Sequence, residues 1–243
     1  MKNYIWIIIT GGATFLLMFY VKMNTVTFLL ILVPLLIIFF TFGSFTYSFR
    51  SSLKTEPIPQ DGYSDRVEKL NREKFELNKL GFNKIGEMYL KTIPDSVTYI
   101  YKHEVENVFF CMYHFGPKTA YDLISHFERG VTLTTSSTVE GGMPPRPAKN
   151  LLQIFERTTY TRCLDKHLMS QKLILSNGIK LIDINNDSYI SLILKSVMEL
   201  ADYVRKIPFW PVLLIYWTIT KRGKIYLSSI EEQIKEGKIR LIR

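Results

Sequence analysis

Three of the four histidines fall in successive segments that are predicted to be β-strands, which raises the question of a metal site. These are His103, His114 and His126, and imidazole is a common ligand of zinc. The turn at Gly116-Pro117 sets a strand pairing in which His114 lies opposite Thr119. His126 then lies toward the other end of the hairpin, about six or seven residues from His114 at ~3.3 Å per residue. The H-E-x-x-H spacing does not occur either, so we predict no metal centre and no cofactor.

A second group combines the residue types of general acid–base catalysis. His103 is followed by Glu104 and Glu106, and we take His103, Glu104 and His126 as the catalytic candidates. The glutamates also fit exposed charges in a turn between two strands. The chain has no G-x-S-x-G elbow, P-loop or G-x-G-x-x-G motif, which favours a non-enzymatic protein over an enzyme. An enzyme would be indicated by a pocket that brings together two or more of His103, Glu104, Glu106, His114, Asp122 and His126 within hydrogen-bond reach.

The segment from Thr138 to Lys149 is rich in glycine and proline and contains the sequence Pro144, Pro145, Arg146, Pro147. Such a sequence favours the polyproline II conformation, which docks on aromatic grooves of partner proteins. We therefore take these four residues as a partner-binding loop. The alternative is that the prolines only end one strand and precede the next helix.

A third apolar run, over residues 207–219, is too short to span a membrane. Aromatic residues lie within it and basic residues flank it: Arg205, Lys206, Phe209, Trp210, Tyr216, Trp217, Lys221, Arg222 and Lys224. Indole and phenol rings favour the headgroup level of a bilayer, and basic side chains favour an anionic leaflet. The run is therefore a candidate interfacial segment. The alternative is a buried core strand over Val212–Thr220, with its tryptophan packed inward.

The elements that position these residues predict an α+β domain over residues 64–243. Helical periodicity predicts helices over 65–80, 151–172 and 187–206, and a short C-terminal helix follows them. β-Branched and aromatic residues predict strands over 85–91, 97–103, 108–115, 119–127 and 131–136, with a further short strand at 180–184. The links between the first strands are short, which predicts an antiparallel sheet of four to five strands packed by amphipathic helices.

Two long apolar runs precede this domain, over 4–21 and 25–45, with only Lys22, Met23 and Asn24 between them. A bilayer core of about 30 Å needs about 20 apolar residues in helical form. The sequence therefore predicts a transmembrane helical hairpin over residues 1–46, followed by a linker over 47–63. Lys22 is the one basic residue between the runs, whereas Arg50, Lys54 and further basic residues follow the second. Basic residues favour the cytoplasmic side, so both termini and the 64–243 domain are predicted to be cytoplasmic.

Positive charge is concentrated at the C-terminal end of the chain. The stretch 47–203 has 20 basic and 19 acidic residues, whereas 204–243 has 9 basic and 3 acidic ones. Since the domain is tethered to a membrane, we expect anionic lipid headgroups, and not nucleic acid, as the partner of this stretch. We expect a protein partner or a second copy as well. The sequence thus predicts a membrane-anchored interaction or regulatory module, either alone or as a subunit of a membrane complex. The alternative is an enzyme acting on a lipid or membrane-embedded substrate.

Overall fold

The described part of the N-terminal unit lies in one long apolar helix. In this computed structural model the chain divides into two compact units, Met1–Phe45 and Thr46–Arg243. The structure describes residues 25–51, 58–59, 64–90, 95–115, 118–139, 146–217, 220 and 224–241. Helix α1 covers Thr25–Ser51, and Val26–Gly43 within it is long and apolar enough to cross a membrane, by length and composition alone. The other predicted span, 4–21, lies outside the described residues, as does most of the 47–63 linker.

Six strands form one sheet in the order β1 to β6. They are β1 (Phe82–Leu90), β2 (Ser96–His103), β3 (Phe109–Phe115), β4 (Lys118–His126), β5 (Thr132–Ser136) and β6 (Asn150–Ile154). The first five pair antiparallel, as predicted, and His114 lies opposite Thr119 in the predicted register. The pairing of β5 with β6 is parallel and was not predicted. Parallel neighbours need a crossover connection, which here is the segment 137–149.

The predicted helix over 151–172 is wrong at its start. The chain forms β6 first, and helix α3 covers Tyr160–Ser176. Leu151 and Leu152 are both buried but on opposite sides of the sheet, as successive residues of a buried strand are. A short apolar run of this kind fits a helix and a buried strand equally well, which explains the error. The side chain of Thr159 caps α3 by accepting a hydrogen bond from the Arg162 backbone N–H.

Helices cover both faces of the sheet. Helix α2 (Ser64–Lys79) and α3 pack on one face, and helix α4 (Asn186–Arg205) packs on the other. The bounds of α2 and α4 lie within one residue of the predicted ones. Strand β3 shows the division, because Phe110 packs with Leu77 of α2, whereas Phe109 packs with Tyr189 of α4. Alternate residues of a strand point to opposite faces, so β3 and β4 each present one row of side chains to α4.

The third apolar run forms a helix and not the alternative core strand. Helix α5 covers Trp210–Tyr216. Phe209, Val212, Leu213 and Tyr216 are 83, 47, 42 and 53% exposed, which is incompatible with a strand buried in the core. The backbone of Phe209 has φ 54°, a left-handed conformation at the start of the helix.

The C-terminal segment protects the β6 edge of the sheet. Helix α6 (Ile230–Lys235) begins with a capping box in which Ser229 and Glu232 bond to each other's backbone N–H. The Gln233 amide donates to the Leu152 carbonyl of β6 at 2.9 Å. A polar side chain on the edge carbonyl removes one site for pairing with another chain.

The predicted strand at 180–184 is reduced to a single bridge between Phe127 and Leu181.

Candidate functional site

A pocket of about 180 Å³ lies between the sheet and helix α4. Its sheet side is lined by Tyr113, Asp122, Ile124, His126, Thr132, Thr134 and Asn150, together with Arg146 from the crossover. Its helix side is lined by Tyr189, Ile193, Ser196, Val197 and Leu200. Residues 122, 124 and 126 are alternate positions of β4, so the period of the strand places all three on the α4 side. The pocket therefore has a mostly polar wall and a mostly aliphatic wall.

Asp122 is the acidic group of this pocket. It lies opposite Cys111 of β3 and Ser136 of β5 in the sheet. Desolvation raises the pKa of Asp122 above its usual range, whereas hydrogen bonds with the side chains of Ser136 and Tyr113 and the positive charge of Arg146 act to lower it. The positive charge of Arg146 thus offsets part of the desolvation of the carboxyl group.

Cys111 is not a nucleophile at neutral pH. Its Sγ lies 3.9 Å from the hydroxyl of Tyr189, and the residue is fully buried. Burial raises the pKa of the Cys111 thiol to about 12, so the thiolate is absent near neutral pH. The Cys163 thiol is also buried, and burial raises its pKa to about 12. Both cysteines are free.

His126 is the histidine of the pocket, and it is neutral at pH 7. Burial lowers its pKa to about 4. The ring stands edge-on to Phe109 and Tyr189, at centroid distances of 6.3 and 5.8 Å. Its Nε2 is buried and has no hydrogen-bond partner among the described residues. Asp122 and His126 are four residues apart in β4, or ~13 Å along a strand, so they do not form an acid–base pair.

The other two catalytic candidates lie at the end of β2 and in the turn that follows it. The Nδ1 of His103 accepts hydrogen bonds from the backbone N–H groups of Val105 and Glu106 at 3.2 and 3.1 Å. Glu104 accepts a hydrogen bond from the Asn83 amide at 2.6 Å. These contacts hold the turn together. Among the described residues, no hydrogen bond joins any two of the three candidates, His103, Glu104 and His126.

The fourth histidine, His167 of α3, has the contacts of a nucleophile–base arrangement. The sequence did not single out this residue. Its Nε2 lies 2.8 Å from the Ser125 hydroxyl, and its Nδ1 lies 2.7 Å from the Thr135 hydroxyl. Thr135 in turn accepts a hydrogen bond from the Gln153 amide at 2.7 Å. All four residues are 0% exposed, so no substrate reaches Ser125 and the cluster is structural. They come from β4, β5, β6 and α3, so no local spacing could have revealed their contact.

The histidines considered as metal ligands were His103, His114 and His126, and the structure places them apart. His114 points to the α2 side of the sheet, where it is 2% exposed and where burial and the charges of Lys69 and Arg66 lower its pKa. No cluster of three or more histidine, cysteine, aspartate or glutamate side chains with metal-binding geometry occurs among the residues that the structure describes.

The predicted partner-binding loop is described only at its C-terminal end. Pro144 and Pro145 lie outside the described residues. The Arg146 backbone N–H donates to the Tyr226 hydroxyl at 3.3 Å, and the Pro147 carbonyl accepts from the Asn150 backbone N–H at 2.9 Å. This end of the loop therefore packs on the domain, and the Arg146 side chain lines the pocket.

The predicted interfacial residues fall at the end of α4, on α5 and beyond it. Arg205, Lys206 and Lys224 are exposed, and Phe209 and Tyr216 are exposed apolar groups beside them. Trp210 and Trp217 are half-buried, and the ring of Trp217 lies 6.5 Å from that of Tyr226. Lys221 and Arg222 lie outside the described residues.

The fold and the pocket define a three-layer α+β domain with a small cleft beneath one helix. No known protein family, curated protein or solved structure matches this chain significantly. Its function is therefore inferred from its own residues and their geometry.

Proposed function

We propose that this chain is an integral membrane protein whose 64–243 domain binds the cytoplasmic surface of the bilayer. The observation that carries the proposal is an exposed set of large apolar side chains on and beside α5. We call Phe209, Val212, Leu213 and Tyr216 the apolar patch, and each of them is more than 40% exposed. Contiguous exposed apolar groups are uncommon on monomeric domains and mark protein or membrane contacts.

Basic side chains beside the patch favour a membrane over a protein as its partner. Arg205 and Lys206 precede α5, Lys224 follows it, and all three are exposed. A basic residue near an anionic leaflet contributes about 1 kcal/mol. Burying a phenylalanine side chain contributes about 1.5–3 kcal/mol in addition. The combination of both residue types is that of interfacial helices with a charged margin.

The anchor and its orientation complete the proposal. Helix α1 crosses the membrane, and residues 1–46 form a two-helix hairpin with the short connection around Lys22 outside the cell. Both termini and the 64–243 domain are then cytoplasmic, because the basic residues after α1 stay inside. Reporter fusions at Arg243 are expected to be active only on the cytoplasmic side, and an external C-terminus would overturn this orientation.

In this proposal the domain is an interaction or regulatory module, and it can serve as one subunit of a membrane complex. An enzyme acting on a lipid or membrane-embedded substrate is the second candidate. One observation favours the enzyme, namely that Asp122 and His126 line the same pocket. Their separation of four residues along β4 favours the non-enzymatic module, since acid–base catalysis needs groups within hydrogen-bond reach of one substrate.

Fluorescence quenching by brominated lipid tests the membrane contact of the apolar patch. The full chain with Trp6→Phe, in vesicles of phosphatidylcholine and phosphatidylglycerol, retains Trp210 and Trp217 as its only tryptophans. We expect lipid brominated near the headgroup to quench their emission. Adding Phe209→Ser and Tyr216→Ser is expected to reduce the population of domains in contact with the bilayer surface roughly tenfold or more, because it removes two aromatic side chains that this contact would bury.

The matched control is Phe75→Ser, which replaces another exposed aromatic residue (65% exposed) on α2. This variant is expected to show the same quenching as the parent chain. Emission that brominated lipid leaves unchanged in the parent would contradict the proposed surface contact. Equal quenching in the parent and in the patch variant would contradict the role of Phe209 and Tyr216.

A further inference from the structure

The pocket beneath α4 has two chemically different walls, and this contrast restricts what it can bind. Thr132, Thr134 and Asn150 contribute hydroxyl and amide groups on the sheet side. Ile193 and Val197 contribute aliphatic side chains on the helix side. Pockets that bind small molecules combine apolar walls with a few polar groups that fix the orientation of the ligand. A matching molecule has one edge that forms hydrogen bonds and an apolar remainder.

The size of the pocket restricts the ligand further. Its volume of about 180 Å³ is close to that of an engineered cavity of about 150 Å³ that binds benzene. A molecule of roughly six to ten non-hydrogen atoms fits this space.

The charges in the pocket favour an uncharged ligand. Desolvation raises the pKa of Asp122 and the positive charge of Arg146 acts to lower it, whereas burial lowers the pKa of His126 to about 4, so that this ring is neutral at pH 7. A charged ligand would bring a further charge into this partly desolvated space, which is unfavourable. An uncharged polar ligand avoids this cost and still satisfies the hydroxyl and amide groups.

Thr134 and Asn150 supply hydrogen-bonding groups at this wall, and they lie on the adjacent strands β5 and β6. A hydroxyl group and a primary amide each both donate and accept hydrogen bonds. A ligand edge that carries an N–H beside a C=O matches both groups.

From these features we propose that the pocket between the sheet and α4 binds a small uncharged ligand of the lactam or nucleobase type. The hydrogen-bonding edge of the ligand faces Thr134 and Asn150. Its apolar part packs against Ile193 and Val197 of α4. This site is separate from the apolar patch, and it adds a ligand-binding activity to the proposed membrane module.

Ligand-observed NMR with thymine as the probe tests the proposal on the full chain in vesicles. Thymine is uncharged at pH 7, has two lactam groups and one methyl group, and dissolves little in lipid. We expect saturation transfer from the protein to thymine. Ser196→Phe is expected to abolish it, because the new ring fills the pocket from the helix side. Met198→Phe changes an exposed residue (44%) of the same helix and is expected to leave it intact.

A second variant keeps the test decisive if Ser196→Phe does not fold. Thr134→Val removes one hydroxyl group at nearly constant volume and is expected to weaken thymine binding about tenfold. No transfer to thymine in the parent chain, or undiminished transfer in Thr134→Val, overturns the proposal. Competition by leucine or inorganic phosphate, but not by uracil, overturns the uncharged class. The variant with Phe209→Ser and Tyr216→Ser is expected to bind thymine normally, which separates this site from the membrane contact.

Discussion

Acidification from pH 7 to pH 5 is expected to lower the free energy of unfolding of the domain by about 3–4 kcal/mol. Burial lowers the pKa of His167 to about 3 and that of His126 to about 4 in the folded chain. In the unfolded chain both groups return to about 6.5. Between these values the unfolded state binds more protons than the folded state, so stability rises with pH. It is fully present above about pH 6.5 and is lost as the pH falls toward the folded pKa values.

His167 is the better place to test this effect, because it is 0% exposed and packs among neutral groups. Both ring nitrogens already lie within hydrogen-bond distance of hydroxyl groups, of Ser125 and of Thr135. Protonation would place a charge there without a carboxylate partner, and this is expensive in a desolvated site. Asp122 acts in the opposite direction, since its raised pKa favours the folded state as its carboxyl is protonated at lower pH.

His167→Gln is expected to reduce the slope of stability against pH by about 1.4 kcal/mol per pH unit near pH 5, because one linked proton is removed. The variant is also expected to be less stable at pH 7. Urea unfolding of the full chain in detergent, followed by near-UV circular dichroism at several pH values, measures both quantities. Thr135→Val is the matched control, since it removes a hydrogen bond of His167 and keeps the titrating ring. An unchanged slope in His167→Gln would contradict the assignment.

The antiparallel part of the sheet was predictable because local signals determine it. The Gly116-Pro117 turn set the register of β3 and β4, and His114 does lie opposite Thr119. The parallel pairing of β6 was not predictable in this way, since its partner β5 is separated from it by the crossover and its apolar residues also fit a helix. The sequence of α5 fitted both an interfacial segment and a buried core strand, because a short apolar run does not specify its own partner.

The candidate site shows the same division between local and long-range information. The sequence drew attention to His126, Asp122 and Arg146 separately, for a metal, for acid–base catalysis and for a partner-binding loop. Their shared pocket exists because the crossover and α4 pack on the same face of the sheet. That packing depends on contacts between residues far apart in the chain, such as Phe109 with Tyr189, and no spacing within one element encodes them.

Tyr189→Ala is expected to destabilise the attachment of α4 to the sheet by about 3–5 kcal/mol. Tyr189 is 0% exposed, and its ring stacks on Phe109 with a centroid distance of 3.5 Å and an interplanar angle of 6°. Ile190 beside it approaches β1 closely, since a Cβ added at Gly86 would lie 3.2 Å from its side chain. Removing the tyrosine ring leaves a cavity at the point where the helix begins its contact with the sheet.

The loss is expected to be local, because α4 covers one face of the sheet while α2 and α3 hold the other. Hydrogen exchange of the full chain should therefore show faster exchange over Asn186–Arg205, with smaller changes in β2 and β3. Tyr189→Phe keeps the stacked ring and is expected to cost less than about 1.5 kcal/mol, which makes it the matched control. Equal loss of protection throughout the sheet would show that α4 does not open separately. Local opening would instead mean that the aliphatic wall of the pocket is its least stable part, so a ligand bound beneath α4 would stabilise this helix selectively.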